Sequence, residues 1–175
     1  AGRTCDERLA LALGLLGQET TGPGGVAYGL RTVPVARWIA QTVAERAPDA
    51  WVINFTNPAG MITQAMRAIL GDRVIGICDS PIGLGRRAAR ALAIDPTQTQ
   101  VEYAGLNHLG WLRGLRHDGA DVLPELIADA ELLDSFEEGR LFGAEWIQTI
   151  DAIPNEYLYY YYFTREVVAS ITGGA

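Results

Sequence analysis

The segment Val74–Pro81 constrains the fold more strongly than any other part of this chain. Its first four residues form a short, largely β-branched run that is typical of a buried parallel strand. Cys78 and Asp79 follow this run, and Pro81 suits the first turn of a helix. Because sites in open α/β sheets lie at the carboxyl ends of strands, Cys78 and Asp79 occupy positions expected of a site. The structural alternative is that Cys78 packs as a small apolar residue and that Asp79 or Ser80 only caps the helix.

Strands and helices alternate on both sides of this segment. A strand is predicted over 51–55, and the pattern around it predicts helices over 33–47, 59–70 and 81–93. Units of this length favour right-handed β–α–β crossovers, so the sequence predicts an α/β fold with a parallel sheet. A first helix is expected over 3–17, followed by a glycine-rich turn over 17–25. That turn either approaches a ligand closely or is an ordinary surface loop.

The parallel pattern ends near residue 106. A strand is expected to begin over 100–106, to run on through 107–111 and to be extended over 112–115, and a hairpin then continues to Val122 through the turn Asp118-Gly119. Helices are predicted over 123–134, 139–150 and 155–163, the last opened by Pro154. We therefore expect one domain over 1–106 and the start of an α+β domain over 107–175.

Composition excludes several classes of function. The chain of 175 residues is 49% hydrophobic with a formal net charge of -7, so it can form a core, and nucleic acid and anionic membranes are poor partners. Its two cysteines do not make a disulfide framework. No stretch resembles a signal peptide or a spanning helix, so a reducing, cytoplasmic setting is expected.

Two of the chain's side chains suit a metal. The histidines are His108 and His117, and His117 lies beside a turn where solvent reaches it. His108 and Cys78 both follow predicted strands, which we expect to belong to one sheet. An imidazole and a thiolate can both bind a transition metal, and two protein ligands leave an open site for water and substrate oxygens.

Five motifs occur in an order that resembles glycoside hydrolase family 4, the NAD- and divalent-metal-dependent 6-phosphoglucosidases. They are Gly17-Gln18-Glu19-Thr20-Thr21-Gly22-Pro23-Gly24-Gly25, Asn54-Phe55-Thr56-Asn57-Pro58-Ala59-Gly60, Cys78-Asp79-Ser80-Pro81, Leu106-Asn107-His108-Leu109-Gly110-Trp111 and Ile153-Pro154-Asn155-Glu156-Tyr157-Leu158. The resemblance covers nearly the whole chain. It implies the C-terminal half of a Rossmann-like, doubly wound NAD-binding domain over 1–106 and a catalytic α+β domain over 107–175.

The resemblance also implies the roles of the catalytic side chains. Cys78 and His108 resemble the manganese ligands, and Asp79 resembles the group that protonates the leaving glycosidic oxygen. Tyr157 resembles the base that removes the proton at C2 of the sugar, and Glu19 the residue that raises the basicity of this tyrosine. Apart from the resemblance, Tyr157 could be one more aromatic side chain in a packed helix.

Two further residues are implied to bind substrate. Asn57 resembles a substrate-binding residue, and Arg3 resembles one of the arginines that hold the 6-phosphate, for which the guanidinium fork is well suited. Apart from the resemblance, Asn57 could be only a turn residue before proline, and Arg3 could be a solvated helix residue. The implied partner is a 6-phosphorylated glucoside, and a homo-oligomer is expected on the resemblance alone.

In that family's chemistry, NAD takes a hydride from C3, and the resulting ketone acidifies the C2 hydrogen. The metal polarises the C3 oxygen, a base removes the C2 proton, the C1–O bond breaks, water adds and the hydride returns. A free tyrosine with a pKa of about 10 is a weak base, so its phenolate needs a nearby cation.

The chain departs from the family in one respect. The glycine fingerprint Gly-x-Gly-x-x-Gly after a first strand is absent, so no cofactor-binding residue is assigned. We expect the fingerprint ahead of this chain and a second phosphate-binding arginine after it, which would make this chain the middle of the enzyme.

Anomeric preference and competing functions remain open. The segment 54–60 resembles the 6-phospho-β-glucosidase branch, whereas aspartate after Cys78 resembles the α branch, and we favour β. A 2-hydroxy-acid dehydrogenase without metal and a truncated, non-catalytic fragment are the competing alternatives.

Overall fold

The computed structural model describes residues 2–173, which form two compact units. Among these residues, unit 1 comprises 2–78 and 164–173, and unit 2 comprises Asp79–Phe163. No helix in residues 2–173 has both the length and the apolar character needed to cross a bilayer.

Unit 1 is built on a parallel pair of strands. Its elements up to Cys78 are α1 (Gly2–Ala12), α2 (Gly22–Arg46), β1 (Val52–Asn54), α3 (Ala59–Leu70) and β2 (Val74–Gly76). β1 pairs in parallel with β2, and α3 is the crossover between them. This β–α–β unit confirms the predicted α/β class and parallel sheet.

The core of unit 1 lies on one face of this sheet. Apolar residues spaced four apart in α2 and α3 pack with Val74. They are Ala36, Ala40, Ile62, Met66 and Leu70. The expectation that the whole strand run is buried is wrong: Val74 is 4% exposed, but Ile75 is 46% exposed. Because side chains alternate along a strand, Ile75 and its partner Ile53 project from the opposite face, and both are exposed.

Helix α2 begins much earlier than the predicted helix over 33–47. It starts at Gly22, with Pro23 in its first turn, and it contains Pro34. Gly25 lies so close to the preceding loop that an added Cβ would come within 2.5 Å of the carbonyl carbon of Thr20. The end of the glycine-rich segment is therefore the first turn of a helix, packed on its own loop.

Unit 2 combines a hairpin-based sheet with short helices. Its elements are α4 (Ser80–Ala91), β3 (Thr99–Leu106), β4 (Leu109–His117), β5 (Ala120–Asp121), α5 (Leu123–Ala128), α6 (Ala130–Asp134), α7 (Glu137–Phe142), α8 (Ala144–Ile150), β6 (Ile153–Pro154) and α9 (Tyr159–Tyr162). Strands β3, β4 and β5 are antiparallel neighbours, and β6 also pairs with β4. The last helix, α10 (Thr164–Thr172), belongs to unit 1.

The expectation that the strand ending at Leu106 belongs to the parallel sheet is wrong. β3 pairs with β4 in a separate antiparallel sheet, with Leu106 opposite Leu109. Only Asn107 and His108 join the two strands, and so short a link makes a hairpin, whereas a parallel crossover needs a dozen or more residues. His108 therefore lies in a hairpin turn and does not share a sheet with the strand before Cys78.

Two predicted helices of unit 2 are each divided in two. The helix over 123–134 breaks at Asp129, whose carboxylate accepts hydrogen bonds from the N–H groups of Glu131 and Leu132 and so caps α6. The helix over 139–150 breaks at Gly143, which has a φ of 79°. Pro154 lies in β6 and does not open a helix.

Candidate active site

The carboxyl edge of the parallel sheet in unit 1 carries two of the predicted site residues. The N–H of Ile77 donates to the carbonyl oxygen of Asn54 at 2.9 Å, so strand pairing continues past β2 up to Cys78. Cys78 is half-buried. Asn57 follows the end of β1 at the same edge. The predicted position of Cys78 beyond the carboxyl end of a parallel strand is confirmed.

Arg3, Glu19 and Asn57 form a chain of polar contacts within unit 1. The Nη1 of Arg3 donates to Oε2 of Glu19 at 2.8 Å, and the Nδ2 of Asn57 donates to Oε1 of the same carboxylate at 3.2 Å. Arg3 also lies 3.3 Å from Oε1 of Glu7, one helical turn along α1. Three residues that the sequence singles out separately therefore meet at one carboxylate.

Backbone packing holds Glu19 in place. The Oε1 of Gln18 accepts hydrogen bonds from the N–H groups of Thr20 and Thr21, at 2.6 and 2.8 Å. An added Cβ on Gly17 would lie 2.1 Å from the carbonyl oxygen of Glu7. Gly17 is thus required because the loop packs against the backbone of α1, which is a structural reason for this glycine.

His108 and Tyr157 form the best-defined pair of site residues in unit 2. Their rings stack with centroids 3.6 Å apart and 6° between the planes. The hairpin turn that carries His108 is held by Tyr103, whose hydroxyl donates to the carbonyl oxygen of Asn107 at 2.8 Å. Each of the two rings is half-buried.

Tyr157 is positioned by the residue two places before it. Asn155 is fully buried, and its Oδ1 accepts a hydrogen bond from the N–H of Tyr157 at 3.0 Å, which caps a short 3₁₀ turn. The N–H of Asn155 donates to the carbonyl oxygen of Gly110 at 2.9 Å, beside the hairpin turn. Asn155 thereby connects the turn carrying Tyr157 to the turn carrying His108.

Asp79 lies at the first residue of unit 2, in the N-cap position of α4. Its side chain is exposed and makes no capping hydrogen bond. The backbone carbonyl of Asp79 accepts from the N–H of Gly83 at 2.6 Å, so the main chain is fixed. The alternative that the carboxylate serves only as a helix cap is wrong for Asp79.

A buried polar cluster in unit 2 was missed by the sequence analysis. We refer to Ser80, Arg87, Glu138 and Glu156 as the α4 network. Arg87 Nε donates to Oε2 of the fully buried Glu138 at 3.0 Å, and its Nη2 contacts the other oxygen of that carboxylate. The Ser80 hydroxyl donates to Oε1 of Glu156 at 2.5 Å, and Oε2 of Glu156 lies 3.6 Å from Arg87 Nη2.

Burial and charge act in opposite directions within the α4 network. Burial raises the pKa of Glu138, and the Arg87 guanidinium opposes this only in part. Burial also disfavours the charged form of Arg87, but the hydrogen bond and the charge of Glu138 outweigh it and raise the pKa of Arg87. The sequence analysis missed these contacts because the partners are 51 and 76 residues apart in the chain. Only Glu156 lies inside one of the five motifs.

The side chains that could hold a metal are divided between the two units. Among residues 2–173, no three side chains of His, Cys, Asp or Glu converge as a metal-binding group. Cys78, in unit 1, and His108, in unit 2, carry a thiol and an imidazole, and a thiolate and an imidazole are both competent donors to a transition metal. For NAD, the chain offers no glycine fingerprint.

Unit 1 is thus an α/β unit with polar residues beyond its parallel strands, and unit 2 carries a stacked histidine and tyrosine. The model of family 4 glycosyl hydrolases matches residues 1–94, and that of the family's C-terminal domain matches residues 103–173. The chain belongs to glycosyl hydrolase family 4.

Sequence relatives and solved structures support this assignment. A probable 6-phospho-beta-glucosidase of Bacillus subtilis is 40% identical over 172 residues, which is 95% of this chain and 39% of the relative. The 6-phospho-beta-glucosidase of Thermotoga maritima, solved with manganese, NAD+ and glucose-6-phosphate, has a TM-score of 0.84 at 32% identity, over 98% of this chain and 42% of that one.

A third relative has the opposite anomeric specificity. A 6-phospho-alpha-glucosidase from gut microorganisms, solved with NAD and Mn2+, has a TM-score of 0.81 at 31% identity, over 95% of this chain and 42% of that one. The present chain thus spans about two fifths of the length of the relatives it matches.

Proposed function

We propose that this protein is a 6-phospho-β-glucosidase that hydrolyses phosphorylated glucosides, with NAD and a divalent metal such as Mn²⁺ as cofactors. Relatives with that name and with those ligands support the proposal. A 6-phospho-α-glucosidase is the alternative, favoured by Asp79 after Cys78 and by the similarity to an α-acting relative.

The stack of His108 on Tyr157 is the observation on which this proposal depends most. The C3 oxygen and the C2 hydrogen of a pyranose are separated by only a few bonds. A residue that binds a metal at the C3 oxygen and a residue that removes the C2 proton must therefore lie within a few ångströms of each other. The ring separation of 3.6 Å meets this requirement.

In the proposed reaction, Cys78 and His108 would hold the metal, which when bound would supply Lewis-acid polarisation of a substrate oxygen. Tyr157 accepts the C2 proton, and a cation held by His108 would stabilise the resulting phenolate. Asp79, exposed at the start of α4, donates a proton to the departing glycosidic oxygen. Water replaces the leaving group, so the net change is hydrolysis of the C1–O bond.

Substrate binding is assigned to the polar chain of unit 1. We propose that Arg3 holds the 6-phosphate and that Asn57 binds the sugar, with Glu19 orienting both through its two carboxylate oxygens. The role of Glu19 in raising the basicity of Tyr157 stays a prediction, as does a cytoplasmic homo-oligomer. So does the division into a partial NAD-binding domain over 1–106 and a catalytic domain over 107–175.

The proposal is tested with the protein in its complete native sequence. Release of p-nitrophenol is measured from the α and β anomers of p-nitrophenyl glucoside 6-phosphate, with NAD and Mn²⁺, and again after addition of a chelator. We expect release from the β anomer that stops with chelator. The unphosphorylated glucoside is the control and should not react.

Other outcomes select among the alternatives. Chelator-sensitive release from the α anomer alone would assign the protein to the α branch. Oxidation of a 2-hydroxy acid that is insensitive to chelator would indicate a dehydrogenase. Absence of turnover with every substrate would favour the non-catalytic alternative.

A further inference from the structure

We infer that the α4 network positions Asp79 and Tyr157 for catalysis, an inference that rests on the function proposed above. Ser80, Arg87, Glu138 and Glu156 all belong to unit 2, as do the two residues that they would position. None of the four is assigned a part in proton transfer or in metal binding. They act through the backbone segments that carry the reacting side chains.

One hydrogen bond joins the two catalytic segments. Ser80 directly follows Asp79, and Glu156 directly precedes Tyr157. The hydroxyl of Ser80 donates to Oε1 of Glu156 at 2.5 Å, a short distance characteristic of an O–H···O⁻ contact. The start of α4 and the turn carrying Tyr157 are therefore tied together one residue away from each reacting side chain.

Arg87 anchors this connection in the protein interior. It lies two turns after Ser80 on α4 and binds both oxygens of Glu138, which is 0% exposed. The same guanidinium lies 3.6 Å from Oε2 of Glu156, a buried oxygen without a hydrogen-bond partner in the part of the chain that the structure describes. Arg87 thus restrains Glu156 from one side while Ser80 restrains it from the other.

Stability alone does not account for such an arrangement. Burying two carboxylates beside one guanidinium costs desolvation energy, and apolar side chains of similar volume would often stabilise the same packing equally well. Directional hydrogen bonds, by contrast, fix the relative position of two segments to within a fraction of an ångström. Proton transfer at Asp79 and Tyr157 requires that accuracy.

The test uses Ser80→Ala and Glu156→Gln in the protein with its complete native sequence, assayed on the p-nitrophenyl glucoside 6-phosphate that the wild type hydrolyses. We expect kcat to fall about tenfold or more in Ser80→Ala, with KM changed less than about twofold, because orientation is lost while binding is kept. Ser80→Thr retains the hydroxyl and should recover most of kcat. Glu102→Gln removes a carboxylate paired with Arg116 at the exposed surface of the same unit and serves as the matched control.

The outcomes separate this inference from the proposed function. An active wild type with unchanged kcat in Ser80→Ala and Glu156→Gln would overturn the inference alone. A fall in kcat of Ser80→Ala that is accompanied by a loss of thermal stability and is not recovered in Ser80→Thr would show that the network is merely structural. That result would also overturn the inference. An inactive wild type would overturn the proposed function and this inference together.

Discussion

The imidazole of His108 lies flat against the phenol ring of Tyr157, with 3.6 Å between the ring centroids. The two residues are far apart in sequence, and strand pairing brings them together. β4, which begins beside His108, pairs with β6, which ends just before Asn155, and the register places Trp111 opposite Pro154. A cation bound at His108 would lie beside Tyr157, where it would favour the phenolate form.

Replacing Tyr157 by phenylalanine tests its assignment as the base. Phe keeps a ring that can stack on His108 but has no hydroxyl to accept the C2 proton. We expect exchange of the C2 hydrogen with deuterated solvent, followed by NMR, to fall about a hundredfold or more. Tyr162→Phe, in the adjacent helix α9, is the control and should exchange at the wild-type rate. Persistent exchange in Tyr157→Phe would assign the base to another residue.

The two cysteines provide a matched pair for the metal assignment. Cys78→Ser should abolish turnover that depends on Mn²⁺ and should leave the thermal unfolding midpoint nearly unchanged, since a serine hydroxyl is a poor replacement for a thiolate ligand. Cys5, exposed on α1, is converted to serine as the control and should retain full activity. Mn²⁺ titration followed by turnover measures both variants. Wild-type metal dependence in Cys78→Ser would contradict the ligand assignment.

Arg3 and Arg8 share helix α1 and allow the phosphate assignment to be tested. Arg3→Gln removes the guanidinium that contacts Glu19, and we expect KM for a 6-phosphorylated glucoside to rise about tenfold or more with a smaller effect on kcat. Arg8→Gln changes an exposed arginine of the same helix and should leave KM unaltered. If Arg3→Gln also leaves KM unaltered, Arg3 is a solvated helix residue with no part in binding phosphate.

Local pattern was sufficient to predict the parallel strand pairing of unit 1 but not the sheet of unit 2. Strand–helix–strand spacing gave the parallel pairing of β1 and β2 correctly, because a short apolar run followed by a helix has few alternatives. The strand over 100–106 has a similar local pattern. Only the two-residue link through Asn107 and His108 distinguishes a hairpin from a crossover, and the prediction overlooked that link.

The contacts within the candidate site likewise could not be predicted from local sequence pattern. Motifs identified the single residues Glu19, Asn57, His108 and Tyr157, but not which of them touch. The contact of Asn57 with Glu19 and the contact of Arg87 with Glu138 depend on tertiary packing between distant segments. No periodicity or spacing in the sequence carries that information.

Gly17 has a structural role that a single methyl group can test. In Gly17→Ala the new Cβ would meet the Glu7 carbonyl oxygen at 2.1 Å, and a backbone atom cannot move aside cheaply. We expect the free energy of unfolding, measured in urea, to fall by about 2 kcal/mol. Gly60→Ala is the control, because no heavy atom lies within 4 Å of its added Cβ and alanine favours the helix α3. Equal stability of the two variants would mean that the loop over 17–25 does not pack against α1.

The contribution of Glu138 to the free energy of unfolding should fall as pH rises. Because burial raises its pKa in the folded state, the stabilisation associated with Glu138 is complete below its ordinary pKa of about 4.5 and is lost as pH rises through the raised value. The unfolding free energy of the wild type relative to Glu138→Gln should therefore decrease from about pH 4.5 upward. Urea unfolding of both proteins between pH 4 and pH 8 measures this difference, and a difference that grows with pH would contradict the assignment.

Replacing Arg87, the partner of Glu138, by an uncharged residue tests how much this ion pair contributes to the free energy of unfolding. Arg87→Met leaves the buried carboxylate without its cation, so we expect a loss of about 3 kcal/mol at neutral pH, where the carboxylate is costliest to bury. The double variant Arg87→Met with Glu138→Met replaces both charges by apolar side chains and should recover most of that loss. A double variant no more stable than Arg87→Met would show that the cost comes from packing of the arginine stem. In that case the charge of Glu138 would contribute little to the stability of unit 2.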